Sequence, residues 1–475
     1  MSAHAQVDTG QATNAIGGPV ASRGGQFSWA MFDWANQPYY TLITTFIFAP
    51  YFAATYVGDP TQGQILWGET LGYAGLIIAL MSPVLGSIAD QTGRRKPWLF
   101  VCTLAFCAAV ACLWFALPGE GAINPLPIMV AAAAAAVAME FAVVFNNAML
   151  PSLVSSARMG TLSGAGWGIG YVGGLLALIL MLFFLAADRE TGLTMLGAPP
   201  LFGLDPAMSE ADRFAGPMTA IWFALFVIPL FLFTPDAPAT GVRPVMAISK
   251  GLKQLRRTLS HLGRYRNIAL YLLSRMLYFD GLSAIFAFGG IYAAGIFGWE
   301  IMTLGLFGII LSIFAAAGAF LGGWLDDKIG SKRTIQISVL GLIVATVGSA
   351  SIGADTIFFT IPVEPPQPGA APFSSIGEQI YLVFGILIGI SGGPAQAASR
   401  TLMARMAPPS MMTEFFGLYA LSGKATAFLA PFAIAWATGA FNSQRAGLAV
   451  IVVFLVIGFM LLLGVTERRE EAISD

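Results

Sequence analysis

Long apolar runs separated by short polar interruptions fill almost the whole chain. Runs long enough to cross a bilayer as a helix, roughly 20 residues each, recur twelve times. They lie near 27–52, 64–89, 97–117, 125–150, 161–186, 217–235, 267–296, 301–325, 334–353, 378–404, 413–438 and 444–465, and are numbered here as spans 1 to 12. Runs of this kind read as membrane helices, because a helix satisfies its own backbone groups where no water is present. Twelve divides into six plus six, and one charged turn recurs at the matching place in each half. The first copy is Gly86-Ser-Ile-Ala-Asp90-Gln-Thr-Gly93-Arg94-Arg95-Lys96, and the second is Gly323-Trp-Leu-Asp-Asp327-Lys328-Ile-Gly330-Ser-Lys332-Arg333. Their offset, 323 minus 86, is 237 in a chain of 475 residues. The pattern predicts an all-α integral membrane protein whose twelve transmembrane helices form two six-helix pseudo-repeats. Residues 1–25 read as a disordered tail, 26–235 as the first bundle, 236–266 as a connector, 267–466 as the second bundle and 467–475 as a second tail.

Polar positions divide the spans. Spans 6 and 12 are almost purely apolar and spans 3 and 9 nearly so, which marks every third span as a wall facing lipid. Span 1 instead carries Asp33, Asn36, Gln37, Tyr40 and Thr44 at spacings that form one helical stripe. Span 4 carries Glu140 and Asn147 on one face, span 7 carries Arg275, Asp280 and Ser283, and span 10 carries Gln396, Ser399 and Arg400. Ionisable groups inside a bilayer cost several kcal/mol unless they face protein or water, so these are candidate functional residues; buried ion pairs or packing contacts are the alternative. Span 5 presents Gly166, Gly170 and Gly174 as a ridge of small residues suited to close helix contact. Span 11 places Phe415, Tyr419, Ser422 and Thr426 on a stripe and Lys424 off it. Lys424 lies near mid-bilayer and needs a partner, for which Asp280 and Glu140 are the candidates by depth.

Composition agrees with a membrane protein: 57% of residues are hydrophobic and 10% charged, far less charge than a soluble surface of this length needs. The net charge of −1 names no partner, and nothing suggests nucleic acid. The distribution of charge says more. Of 24 Lys and Arg residues, nineteen fall on the side of the two termini, Arg189, Arg213 and Arg445 fall on the other, and Arg275 and Lys424 fall inside spans. This bias makes both termini cytoplasmic. In the connector, Ile248, Leu252, Leu255, Leu259 and Leu262 recur at helical spacing, with Lys250, Lys253, Arg256, Arg257 and Arg264 mostly off that stripe. Such a helix either lies on an anionic membrane surface or packs as a linker on the bundles. Cys102, Cys107 and Cys112 all fall in span 3 and read as small buried helix residues rather than a disulfide or metal site. Both histidines, His4 and His261, lie outside the spans, which argues against a histidine relay or metal centre. There is no Walker loop, nucleophile elbow or metal-ligand cluster, so neither an enzyme nor a cofactor is expected.

The repeated turn resembles the signature of the major facilitator superfamily, Gly-x-x-x-Asp-(Arg/Lys)-x-Gly followed by basic residues. The second copy matches well; the first departs at Gln91, where a basic residue is usual. Within the superfamily the chain resembles the branch of vacuolar amino-acid effluxers of autophagy and their bacterial relatives. The resemblance is carried by Trp29-Ala-Met-Phe-Asp33-Trp-Ala-Asn36, Asn146-Asn-Ala-Met-Leu-Pro151, Ser163-Gly-Ala-Gly-Trp167-Gly-Ile-Gly-Tyr171, Tyr278-Phe-Asp280-Gly281, Gln396-Ala-Ala-Ser-Arg400 and Glu414-Phe-Phe-Gly417-Leu-Tyr419-Ala-Leu-Ser-Gly-Lys424. It implies a rocker-switch fold with spans 1, 4, 7 and 10 around the cavity, in a bacterial inner membrane. It also implies that Asp90 meets the start of span 11 and Asp327 that of span 5, with Arg94 and Arg333 bracing the turns. Gly86, Gly93, Arg95, Gly323, Lys328, Gly330 and Lys332 complete the expected gate.

The deep charges predict a secondary transporter, monomeric, working by alternating access with protons as a coupling ion and membrane lipids around it; the resemblance implies that it moves a small polar solute such as an amino acid outward. Asp33, Asp280 and Glu140 against Lys424 and Arg275 would hold a zwitterion; the same groups would equally neutralise one another in an empty cavity. A lipid-handling protein, or an assembly protein that has lost transport, is the alternative from another class.

Overall fold

The computed structural model describes residues 13–187, 191–242, 244–260, 262–299, 301–367 and 371–469. Among the described residues ten helices are long and apolar enough to span a membrane, and a shorter apolar helix, Leu429–Phe441, joins them. Spans 2 to 6 are Pro60–Thr92, Lys96–Ala111, Leu126–Met149, Met159–Leu180 and Glu210–Phe233. Spans 7 to 10 are Arg266–Phe297, Ile301–Ile329, Ser331–Ala350 and Ile376–Met406, and span 12 is Gln444–Leu463.

Spans 1 and 11 are broken. Span 1 runs as an α-helix over Arg23–Pro38 and widens into a π-helix over Tyr39–Phe46. Pro38 cannot donate an N–H, and that loss loosens the turn where the widening begins. Span 11 consists of Met412–Ser422 and Leu429–Phe441, separated by irregular turns at 423–428 that hold Lys424. Spans 3, 6, 9 and 12 turn large apolar side chains outward, among them Leu104, Leu225, Leu340 and Ile457. Cys102 and Cys107 are half-buried and Cys112 is exposed, and all three are free thiols. The expectation of three buried cysteines is therefore corrected at Cys112.

Residues 13–22 do not form a loose tail. Asn14 is buried and donates to the carbonyls of Pro19 (3.0 Å) and Ser152 (2.8 Å), while Ala15 and Ala21 N–H groups bond the 151–154 turn. Arg469 near the other end donates to Ala15 O at 2.6 Å, so the described ends of the chain meet on one face, called here the terminal face. The expectation of disorder over 1–25 is thus wrong for 13–25; residues 1–12 and 470–475, and His261, lie outside the described residues. The connector forms a helix over Pro244–Ser260 on the terminal face. Its Ala247, Gly251, Leu255 and Thr258 are buried, whereas Ile248 and Leu252 stay exposed. It packs against span 2, where Ser87 Oγ donates to Gly251 O. The expectation for Leu259 and Leu262 falls on side chains outside the description.

Candidate functional site

The two halves enclose a cavity of about 510 Å³. Asp33, Asn36, Gln37, Tyr40 and Thr44 of span 1 all line it, as do Glu140 and Asn147 of span 4, Arg275 of span 7, Gln396 of span 10 and Lys424 of span 11. Trp167 and Tyr171 of span 5 and Phe279, Phe286, Phe416 and Tyr419 add an aromatic wall. Two features depart from the expected stripes. Asp280 does not line the cavity: it is 3% exposed, and its Oδ2 has no hydrogen-bond partner. Five residues past Arg275 it points about 140° away around the helix. In span 11 the cavity face is Phe416, Tyr419, Ala420, Gly423 and Lys424, whereas Phe415 is buried in the core, so Lys424 lies on the stripe rather than off it.

Charges in the cavity are arranged in two pairs and a remainder. Lys424 Nζ stands 3.6 Å from Glu140 Oε2, which selects Glu140 over Asp280 as the partner of the deep lysine. Arg400, 2% exposed, donates to Asp33 Oδ2 at 2.8 Å, to Asn147 Oδ1 at 3.3 Å and to the Ser163 hydroxyl and carbonyl at 2.9 and 2.7 Å. Its guanidinium also lies over Trp29, 4.8 Å from the ring centre. All of these partners belong to the first half and Arg400 to the second, so this cluster forms the cavity floor between halves. Gly166 makes room for it: a Cβ there would stand 2.4 Å from Asp33 Oδ2. Arg400 is the span 10 candidate that the sequence places toward the terminal side, four residues past Gln396, and it is buried between the halves. Arg275 is the remainder. It donates to Tyr419 O (2.9 Å) and Ser422 Oγ (2.8 Å) and lies between the rings of Phe279 and Tyr419 at 4.6 and 3.5 Å. Among the described residues no carboxylate forms an ion pair with it, and its Nε has no partner.

Below the floor the duplicated turns bind across the halves. Asp90 accepts from Thr413 and Glu414 N–H groups at 3.0 and 2.9 Å, at the start of span 11. Asp327 accepts from Gly160 and Thr161 N–H groups at 2.7 and 2.8 Å, at the start of span 5. A helix N-terminus offers free N–H groups and positive potential, so an aspartate is the fitting group. Gly86 allows the contact, because a Cβ there would stand 2.3 Å from Thr413 O. The bracing bases are not those expected. Arg94 and Arg333 are exposed and make no ion pair among the described residues. Arg95 instead reaches Asp90 (3.5 Å) and Thr413 Oγ1 (3.1 Å), and Arg405 reaches Asp326 (2.7 Å), Asp327 (3.4 Å) and Glu467 (2.7 Å). Lys328 is exposed above Trp324, and Gly93 and Gly330 take the left-handed backbone that ends each turn.

The repeat extends beyond the motif. Asp236 after span 6 accepts from the Arg95 and Lys96 N–H groups at 3.0 and 3.1 Å, and Glu467 after span 12 accepts from Ser331 and Lys332 N–H at 3.2 and 3.0 Å. Lys96 Nζ donates to Phe231 O, and Lys332 Nζ to Leu463 O, each at 2.9 Å. In both halves, then, an acid caps the start of the third helix and a lysine caps the end of the sixth.

A charged cavity between two six-helix repeats, closed on one face by a duplicated turn, defines a membrane transporter of the major facilitator superfamily. Residues 70–472 match the model of the family described as "Vacuole effluxer Atg22 like", and the chain belongs to that family. It is similar to the uncharacterized MFS-type transporter YxiO of Bacillus subtilis (strain 168), 25% identical over 453 residues, covering 94% of this chain and 96% of that protein. It is also similar to Autophagy-related protein 22 of Cryptococcus neoformans, 22% identical over 320 residues; that match covers 66% of this chain and 52% of the fungal protein, about half its length. The fold matches FucP in the outward conformation (TM-score 0.68, 13% identity, 93% of this chain and 98% of that one). It equally matches the proton:xylose symporter XylE bound to 6-bromo-6-deoxy-D-glucose (TM-score 0.68, 13% identity, 94% and 97%).

Proposed function

We propose that the protein exports a small polar solute, an amino acid or a similar metabolite, by alternating access, from a cytoplasm that holds both termini. The observation that carries this reading is the position of the charged groups. The cavity is lined from both halves, and its closure on the terminal face is made of bonds that exist only while the halves meet there. The structure is then an outward-facing state, and breaking the turn contacts and the Arg400 cluster opens the other side. Export is supported by membership in an effluxer family, and the cytoplasmic orientation by the excess of Lys and Arg on the terminal face.

A solute carboxylate would dock on Arg275, the cavity cation without an acidic partner, and an ammonium group would dock on Glu140, releasing Lys424. Such groups recognise a zwitterion better than a lipid tail, which favours solute transport over lipid handling. A proton would couple through Glu140 or Asp33, whose partners exchange as the halves move. The test is counterflow in proteoliposomes loaded with unlabelled leucine, glutamate, lysine, xylose or fucose. Accumulation of the labelled solute on the amino-acid arms, accelerated by a pH gradient, supports the reading. Accumulation on the sugar arms alone refutes the substrate class, and none on any arm in a protein that binds none of these solutes refutes it as well.

A further inference from the structure

We propose that Gln254 of the connector helix is a positioning residue of the terminal-face closure, an uncharged donor that holds the second acid of the first turn where the second turn relies on Arg405. The inference rests on the alternating-access reading above. Its starting point is the asymmetry between the two turns. Asp327 has Arg405 beside it, and Arg405 also binds Asp326, Glu467 and the carbonyl of Ser156 across the halves at 3.1 Å. Asp90 faces a different neighbourhood. The second N–H it binds belongs to Glu414, a fully buried carboxylate, whereas the matching N–H in the other half belongs to Thr161. The first contact therefore brings two acids together, and Arg95 is the base that meets them, bonded to Asp90 rather than to Glu414. Like charges in a buried place repel and force a contact apart unless donors satisfy them.

The connector supplies the donor. Gln254 Nε2 donates to Glu414 Oε2 at 2.6 Å, and Gln254 Oε1 accepts from Gln91 Nε2 at 2.5 Å. Gln91 is the position where the family turn usually carries a base, and the equivalent residue of the second turn, Lys328, points to solvent. Here the amide turns inward instead, and its backbone carbonyl is held by Thr240 Oγ1. Gln91 belongs to the first half and Glu414 to the second, so Gln254 completes a chain of two hydrogen bonds from one half through the connector to the other. When the terminal face opens, Glu414 leaves Gln254 and meets water, so the bond weights the closed state alone.

The test uses the full chain with Cys102, Cys107 and Cys112 replaced by alanine and Ala404→Cys as reporter. Ala404 is fully buried and shares the face of span 10 that carries Ala397 and Arg400, so maleimide reaches it only when the terminal face opens. Losing a hydrogen bond to a buried charged group is expected to raise the labelling rate about tenfold. Gln254→Glu, which keeps the shape but removes the donor and adds a third acid, should give at least that increase. Gln254→Lys, which restores a donor to Glu414 but offers Gln91 Nε2 no acceptor, should label between the parent and Gln254→Glu. In a Glu414→Gln background the increase from Gln254→Glu should vanish. Lys253→Ala, on the exposed side of the same helix, should not change the rate. Parent-like labelling of Gln254→Glu, or an increase that survives Glu414→Gln, overturns the proposal. Should Gln254→Glu not purify as a monodisperse protein, Gln254→Ala is read against the same outcomes. Asp327→Asn serves as the reference: if it too leaves labelling unchanged, alternating access on this face is refuted, whereas an increase there with none for Gln254 refutes the connector's role alone.

Discussion

Replacing Arg400 by glutamine removes the buried cation that joins the two halves at the cavity floor. The guanidinium makes four hydrogen bonds of 2.7 to 3.3 Å to spans 1, 4 and 5. Removing it leaves the Asp33 carboxylate, 8% exposed, without its counter-charge. Breaking a buried pair from one side costs about 3–5 kcal/mol. In the state open to the terminal face Asp33 meets water, so that cost falls almost wholly on the closed state. At 1.4 kcal/mol per factor of ten, the ratio of closed to open molecules should fall by roughly two to three and a half orders of magnitude. Spin labels at Ile123→Cys and Phe441→Cys, exposed on the face away from the termini and one in each half, should report a shorter distance in Arg400→Gln as that face closes. Adding Asp33→Asn removes both charges and should restore most of the parent distribution, because replacing both partners of a buried pair is far cheaper than replacing one. An unchanged distribution in Arg400→Gln, or an equal shift in the double variant, would refute the assignment of this cluster to the closed state.

The other predictions concern the turns and the cavity. Asp327→Asn should open the terminal face more than Asp90→Asn, by maleimide labelling of Ala404→Cys, because losing the Asp90 charge also relieves its repulsion with Glu414; the reverse order would refute that repulsion. Gly166→Ala should weaken closure by one to two orders of magnitude in the same assay, since its Cβ would stand 2.4 Å from Asp33 Oδ2 and 3.0 Å from Arg400 Nη2; labelling at the parent rate would show that the floor can yield. Arg275→Gln should weaken binding of leucine about tenfold or more while leaving leucinamide unchanged, read by the thermal shift of the purified protein. Equal losses for both would remove Arg275 from carboxylate recognition. Asp280→Asn should leave leucine binding intact, because the side chain lies behind the cavity wall, and a large loss there would place the carboxylate in the site after all.

Much of this architecture is written in the chain at the level of runs and repeats. Long apolar runs must become helices in lipid, and a glycine that admits a partner backbone followed by an acid aimed at free N–H groups is readable wherever it recurs. The cavity stripe of span 1 was legible for the same reason: five polar residues on one helical face leave that helix a single rotation that hides them from lipid. Rotation is much less determined in spans 7 and 11, where polar residues lie on more than one side, and there Asp280 and Phe415 were placed on the wrong face. Arg400 falls both among the charges on the side of the termini and among the polar residues of span 10; the packed halves show that its partners, Asp33, Asn147 and Ser163, all belong to the first half. The exchange of Arg94 and Arg333 for Arg95 and Arg405 has the same origin, since a turn fixes where its acid points but not which long basic side chain bends back to it. The connector's two readings could not be separated by periodicity, because of its apolar stripe Leu255 turns inward, beside Ala247, Gly251 and Thr258, while Ile248 and Leu252 stay exposed.

The closure is therefore layered, with the turns at the terminal face, Arg400 and Asp33 at the cavity floor, and Lys424 with Glu140 within reach of solute. These layers differ in what replaces them on opening. The turn aspartates exchange backbone donors for water, which changes their free energy little relative to the strength of each bond. The Arg400 cluster exchanges a dry pair for two hydrated ions, so desolvation already offsets part of its attraction. The Glu140–Lys424 pair is the loosest, at 3.6 Å with a third of the lysine exposed. Under the proposed function, a solute bound there would perturb the groups nearest to a balanced equilibrium. A transporter needs that ordering: outer contacts strong enough to prevent leakage, yet with hydrated alternatives, so that a ligand contributing a few kcal/mol of differential binding can change which face is open.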